Sequence, residues 1–171
     1  MRYAGPAYRG HNPRWSFAPT SGEGAAIHGG RFNPKGVPAL YLATTIEGAI
    51  AEATQGLAYK FNPLTLCAYD VDCADIVDLT SDEKCREAGI ESVVLASPWF
   101  GDIAEGRRPA SWRIHDALAP AAAGILVPSF AVGAPASLTN LVLWDWAETG
   151  PRAVRVHDPD HRLPKTAASW E

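Results

Sequence analysis

The chain is poor in the features that would assign it at once. It has three cysteines, Cys67, Cys73 and Cys85, an odd number without a C-x-x-C pair. That argues against a disulfide framework and suits a reducing, cytosolic compartment. Basic charge is not in excess either: the net charge is −4, with a pI near 5.7. A protein whose main task is to neutralise a phosphate backbone is thereby disfavoured, and no direct nucleic-acid partner is expected. No apolar run approaches the length that spans a bilayer, and "MRYAGPAYRG" does not read as a signal peptide. A cytoplasmic protein without membrane association is the expectation.

The standard phosphate and catalytic motifs are missing as well. Gly24 and Gly29 have the spacing of G-x-x-x-x-G-K-[ST], but Gly30 stands where lysine is needed. G-x-G-x-x-G fails because Gly22 and Gly24 are followed by Ile27. Neither H-E-x-x-H nor G-x-S-x-G occurs. "HDPDH" sets His157 and His161 four apart, yet a proline lies between them and a polar tail follows. A solvated turn is the better reading there than a metal site.

What is present describes an ordinary folded domain. At 171 residues the chain suffices for one domain with a substantial core. The 47% hydrophobic and 20% charged residues argue against disorder. Residues 1–38 are rich in Gly, Pro, Ser and Asn, which reads as a long ordered loop region of the functional kind. Strands are predicted at 39–43 ("ALYLA"), 64–71, 124–129, 138–146 and 153–158. Helices are predicted at 81–89, with Ser81 as N-cap and Gly89 past its end, and at 111–119, stopped by Pro120. Residues 159–171 form a loose polar tail. The irregular spacing points to one α+β domain over 1–171.

Chemistry concentrates in "IHGGRFNPKGVPALYLATTIEGAIAE", residues 27–52. Gly29 and Gly30 would let the backbone approach a ligand or adopt positive φ before a strand. Arg31 offers a planar fork of donors to a phosphate or carboxylate, or a surface ion pair. Tyr41 shares a strand face with Ala39 and Ala43, so it is either a stacking platform or a packed aromatic. "TTIE" fits a capping box with Thr44 as N-cap and Glu47 reaching back. On the helix that follows, Ile46, Ala49, Ile50, Ala53 and Leu57 form the apolar stripe, and Glu52 falls at its margin or outside. "EGRRPASWRIHD" groups Arg107, Arg108 and Arg113, most simply as a solvated loop.

"YRG" at 8–10, the block 29–52, "GILVPSF" and "TNLVLW" together resemble the RES-domain family, the toxin halves of bacterial toxin–antitoxin pairs. Phe32 stands where tryptophan is commoner in that pattern, and 72–110 carries no matching signature. The resemblance implies a fold related to ADP-ribosyltransferase toxins, with mixed or antiparallel sheets and flanking helices, and an activity that consumes NAD+. It implies Glu52, Arg31 and Tyr41 as catalytic residues. Arg9, Gly29, Gly30, Arg31, Tyr41 and Ser129 would contact NAD+, Ser129 through the ribose or the nicotinamide amide. No metal is required by this chemistry. Water, phosphate or a protein side chain would accept the ADP-ribose. The implied partner is an antitoxin with a helix-turn-helix domain that covers the cleft; Trp15, Trp99 and Trp170 belong either to that interface or to the core.

Overall fold

Alternation of side chains builds two cores from one sheet. Leu40 and Leu42 of β2 (Leu40–Ala43) enter one hydrophobic cluster, while Ala39 and Tyr41 enter the cluster on the opposite face. On β6 (Thr139–Leu143), Leu141 and Leu143 share the first cluster and Val142 the second. Tyr41 and Val142 are register partners, so the same parity runs across the sheet. Both faces are covered, which is why these strands read as nearly continuous apolar runs.

The computed structural model describes residues 1–54, 62–135 and 137–170, except the side chains of 169 and 170. It has seven strands in the order β4-β5-β6-β2-β1-β3-β7. The remaining strands are β1 (Tyr3–His11), β3 (Thr65–Cys73), β4 (Ile76–Asp78), β5 (Gly124–Pro128) and β7 (Arg152–Val156). β4 and β5 pair parallel and the other pairings between these strands are antiparallel, so the sheet is mixed. Among the described residues five short helices flank it: α1 (Glu23–His28), α2 (Ile46–Thr54), α3 (Asp82–Glu87), α4 (Phe100–Ala104) and α5 (Trp112–Leu118). Among the described residues no helix is long and apolar enough to cross a membrane.

The expected α+β class and the strands at 39–43, 64–71, 124–129, 138–146 and 153–158 are present with shifted ends. Ser81 caps α3, accepting from the Lys84 amide, and Gly89 follows the helix at φ 70°. The reading of residues 1–38 as loop is corrected. β1 is a nine-residue strand near the sheet centre, paired along its length with β3. Gly5, Pro6 and Gly10 disguise it. Proline fits a strand only where its missing N–H faces no ladder, and β2 pairs with β1 at Tyr8 opposite Ala43 alone.

Three smaller expectations change. The cap of α2 is Thr45, whose hydroxyl accepts from the Gly48 amide at 3.0 Å. Thr44 instead pairs with Thr139 across the β2–β6 ladder, at 2.8 Å between hydroxyls. The buried residues of α2 are Gly48 and Ala49, while Ile46 is exposed and Leu57 lies outside the described residues. The tail is not wholly loose: Asp158 accepts from the Arg162 and Leu163 amides, and Leu163 packs on the core. "HDPDH" is thus a closed turn. Residues 72–110, without signature in the sequence, supply β4, α3 and α4.

Candidate active site

The loop of residues 29–33 is held by donors from three directions. Trp112 Nε1 donates to the Gly30 carbonyl at 2.8 Å, Ser111 Oγ to the Arg31 carbonyl at 2.5 Å, and Trp144 Nε1 to the Phe32 carbonyl at 3.0 Å. The Phe32 amide donates to Tyr41 Oη at 3.0 Å, and Tyr41 donates in turn to Asn33 Oδ1 at 2.7 Å. Asn33 is fully buried and spends its amide on the Ala25 and Val37 carbonyls. The carbonyls of residues 30–33 and the Gly29, Gly30 and Phe32 amides therefore have partners before any ligand arrives.

This network explains the paired glycines. Gly29 sits at φ 72°, ending α1. At Gly30 a Cβ would fall 2.5 Å from both Asn33 Oδ1 and Tyr41 Oη, so only glycine leaves space for that hydrogen bond. The tyrosine hydroxyl is consumed in positioning the loop, and burial raises its pKa far above the ordinary value. What Tyr41 presents to open space is its ring, which lines the site.

Two cavities meet at Tyr41, Glu52 and Asn140. The larger, about 690 Å³, runs along Gly29–Phe32, Phe130–Val132, Trp99 and Phe100. The smaller, about 190 Å³, opens in the fork where β1 leaves β2, lined by Tyr8, Arg9 and Gly10 and by Ala49 and Ala53 of α2. Such dimensions suit a small-molecule site.

Arg31 reaches the larger cavity from a fixed seat. Its Nη1 donates to the Leu95 and Ser97 carbonyls at 3.2 and 3.0 Å, and its guanidinium carbon lies 4.5 Å from the centre of the Phe130 ring. Desolvation lowers its pKa, with the Glu52 charge acting in the opposite sense. Arg9 is half-buried on β1, its Nη1 on the Ser21 carbonyl at 3.1 Å, and desolvation lowers its pKa too. Among the described residues neither guanidinium has an ion-pair partner within contact distance. Both keep donors free for an anion.

Glu52 is exposed, as the helical spacing allowed, and stands at the junction of the cavities. Ser129 Oγ donates to its Oε1 at 2.7 Å and Asn140 Nδ2 donates to the same oxygen at 2.6 Å. Ser129 Oγ also accepts from the Ala131 amide. The structure thus gathers Arg31, Tyr41, Glu52, Gly29 and Gly30 about the larger cavity, with Ser129 against Glu52 and Arg9 in the smaller one. Sequence reading missed Asn140, Asn33, Ser111, Trp112 and Trp144. For Asn140 the one available signal was a polar residue opening the apolar strand "TNLVL". Arg107 and Arg108 point to Asp102 and Asp116 on the surface, away from these cavities.

At the mouth of the larger cavity Phe100 and Val132 are 73% and 77% exposed, beside the half-buried Trp99. Trp15 is exposed as well, and the Trp170 side chain lies outside the described residues.

Residues 6–166 match the family model described as the RES domain. Over 117 residues the chain is 33% identical to proteins named NAD(+) phosphorylase MbcT from Mycobacterium bovis and Mycobacterium tuberculosis. That alignment takes in 61% of this chain and 62% of each relative, less than two thirds of the relatives' length. The crystal structure of the M. tuberculosis MbcT–MbcA toxin–antitoxin complex is similar over 92% of this chain and 84% of that one. Its TM-score is 0.57 at 22% identity, a likeness of fold.

Proposed function

The chain belongs to the RES domain family, and from that premise we propose that its paired cavities bind NAD+ and that it breaks the nicotinamide–ribose bond, as a growth-inhibiting toxin neutralised by a cognate antitoxin. The observation that carries the reading is a carboxylate, Glu52, at the junction of two cavities, with one oxygen pinned and the other taken by no donor among the described residues. The name NAD(+) phosphorylase borne by the relatives supports the substrate.

The chemistry asks for such an arrangement. Nicotinamide leaves as a neutral molecule from a cationic ring, so the enzyme need not supply a general acid to the leaving group. The burden is the oxocarbenium character that develops on the ribose, which a nearby carboxylate stabilises. Glu52 binds the ribose hydroxyls through its free Oε2 and faces the developing charge. Arg31, clamped on Phe130 and on two carbonyls, holds the pyrophosphate with its remaining donors, and Arg9 offers a second anion contact. The Tyr41 ring forms the wall between the two spaces. Phosphate or water then takes the ribosyl carbon, which makes the protein an NAD+-consuming hydrolase or phosphorylase.

The exposed apolar rim at Trp99, Phe100 and Val132 supports a protein partner over the mouth, and a helix-turn-helix antitoxin is the partner this reading implies.

One assay tests these statements. Purified protein is given NAD+ labelled in the adenylate moiety, with and without inorganic phosphate, and nicotinamide release is followed. Turnover that phosphate accelerates is the expected result, with Glu52→Gln and Arg31→Ala each slower by about 10²-fold or more. A parallel tube containing lysate distinguishes the transferase alternative, in which label moves to a protein. Absence of turnover in every tube overturns the enzyme reading and leaves a nucleotide-binding module. Full activity in the purified toxin–antitoxin pair overturns the cleft-covering role.

A further inference from the structure

Two donors from distant parts of the chain converge on one oxygen of one carboxylate. Ser129 follows β5 and Asn140 lies on β6, and both donate to Glu52 Oε1. No described residue donates to Oε2. Asn140 is the less expected member, because its own Oδ1 is buried without a hydrogen-bond partner. Turning the amide over would set Oδ1 against the Glu52 carboxylate, so the polarity is fixed by the glutamate. A buried acceptor left unpaired destabilises a fold, and a small apolar residue would serve the β6 ladder without that penalty. Fold stability therefore gives no reason for asparagine at this position.

We propose that Asn140 is a positioning residue for Glu52: with Ser129 it locks Oε1, holds the carboxylate turned, and leaves Oε2 as the single oxygen presented at the junction of the cavities. Its catalytic consequence rests on the NAD+-cleaving reading above, whereas its geometric content does not. The titratable and charged groups sharing these cavities with Glu52 are Tyr8 and Arg9 from β1, Arg31 from the loop and Tyr41 from β2. Among the described residues, Asn140 and Ser129 are the side chains that hydrogen-bond the carboxylate itself.

The test reads Glu52 directly. Crystal structures of the wild type, Asn140→Ala and Asn140→Asp give the orientation of its carboxylate. Asn140→Ala is expected to let the carboxylate swing from its place on Ser129, and Asn140→Asp to push it away by like charge. Thermal unfolding runs alongside, and Asn140→Ala is expected to unfold at or above the wild-type temperature because it deletes the orphaned acceptor. Where the wild type cleaves NAD+, Asn140→Ala lowers kcat by tenfold or more with little change in KM. An unmoved Glu52 carboxylate in both variants overturns the proposal even if the enzyme is active. An inactive wild type with a moved carboxylate in the variants overturns the NAD+-cleaving reading and leaves the positioning role standing.

Discussion

Tyr41 shows how one side chain can be read correctly for its place and incompletely for its task. Alternation along β2 set it opposite the leucines, and its ring does line the cavities. Its hydroxyl, however, accepts from the Phe32 amide and donates to Asn33, which no spacing in the sequence announces. Tyr41→Phe keeps the ring and deletes both hydrogen bonds, leaving the Phe32 amide and Asn33 Oδ1 short of a partner. The expected loss is about 1–3 kcal/mol in urea unfolding, together with reduced NAD+ turnover as the Arg31 loop loosens. A Tyr41→Phe protein of unchanged stability would mean the hydroxyl does not organise the loop. Ser129 carries the same lesson: its type suggested a turn residue and the family resemblance a ligand of NAD+, and its observed partners are Glu52 and the Ala131 amide.

At the scale of elements, β1 and α2 frame the smaller cavity by close approach. A Cβ at Gly10 would meet Ala53 Cβ at 3.0 Å, and one at Gly48 would meet Ala43 Cβ at 3.2 Å. Small residues let the helix lie against both strands and bring Glu52 to the fork. The helix start depends on Thr45. Thr45→Ala should lower stability by about 1 kcal/mol through the lost cap, while Thr44→Ala loses a cross-strand hydroxyl pair and leaves the cap intact. Circular dichroism melts of the two variants separate the roles, and a larger loss of helix signal from Thr44→Ala would reverse this assignment. The sequence offered two adjacent threonines before an acidic residue. Choosing between them required knowing that β6 runs beside β2 and takes the hydroxyl of Thr44.

The whole molecule places a neutral histidine in its interior. His11 ends β1, is 6% exposed, and meets Tyr69 of β3 at 2.6 Å, while Tyr69 donates to the Pro19 carbonyl. Since that proton is committed, His11 Nε2 is the donor to Tyr69. Desolvation, with the Arg9 charge beside it, lowers the His11 pKa from 6.5 to about 4. A folded-state pKa below the unfolded one means that His11's contribution is complete above pH 6.5 and is lost as pH falls toward 4. Stability should drop by about 3 kcal/mol across that interval, and His11→Gln should flatten the dependence in urea titrations; an equally steep fall in the variant would exclude His11 as its source. By itself the sequence determined the α+β class, most of the strands and the 29–52 block, because alternation, caps and turn residues are local properties. It hid β1, where glycine and proline mimic a loop. Only the tertiary structure decided which donors reach Glu52, 77 and 88 residues away in the chain. Sheet order, rather than any spacing along the chain, brings β5 and β6 beside α2, and a hydrogen bond forms wherever the fold sets a donor within reach of an acceptor.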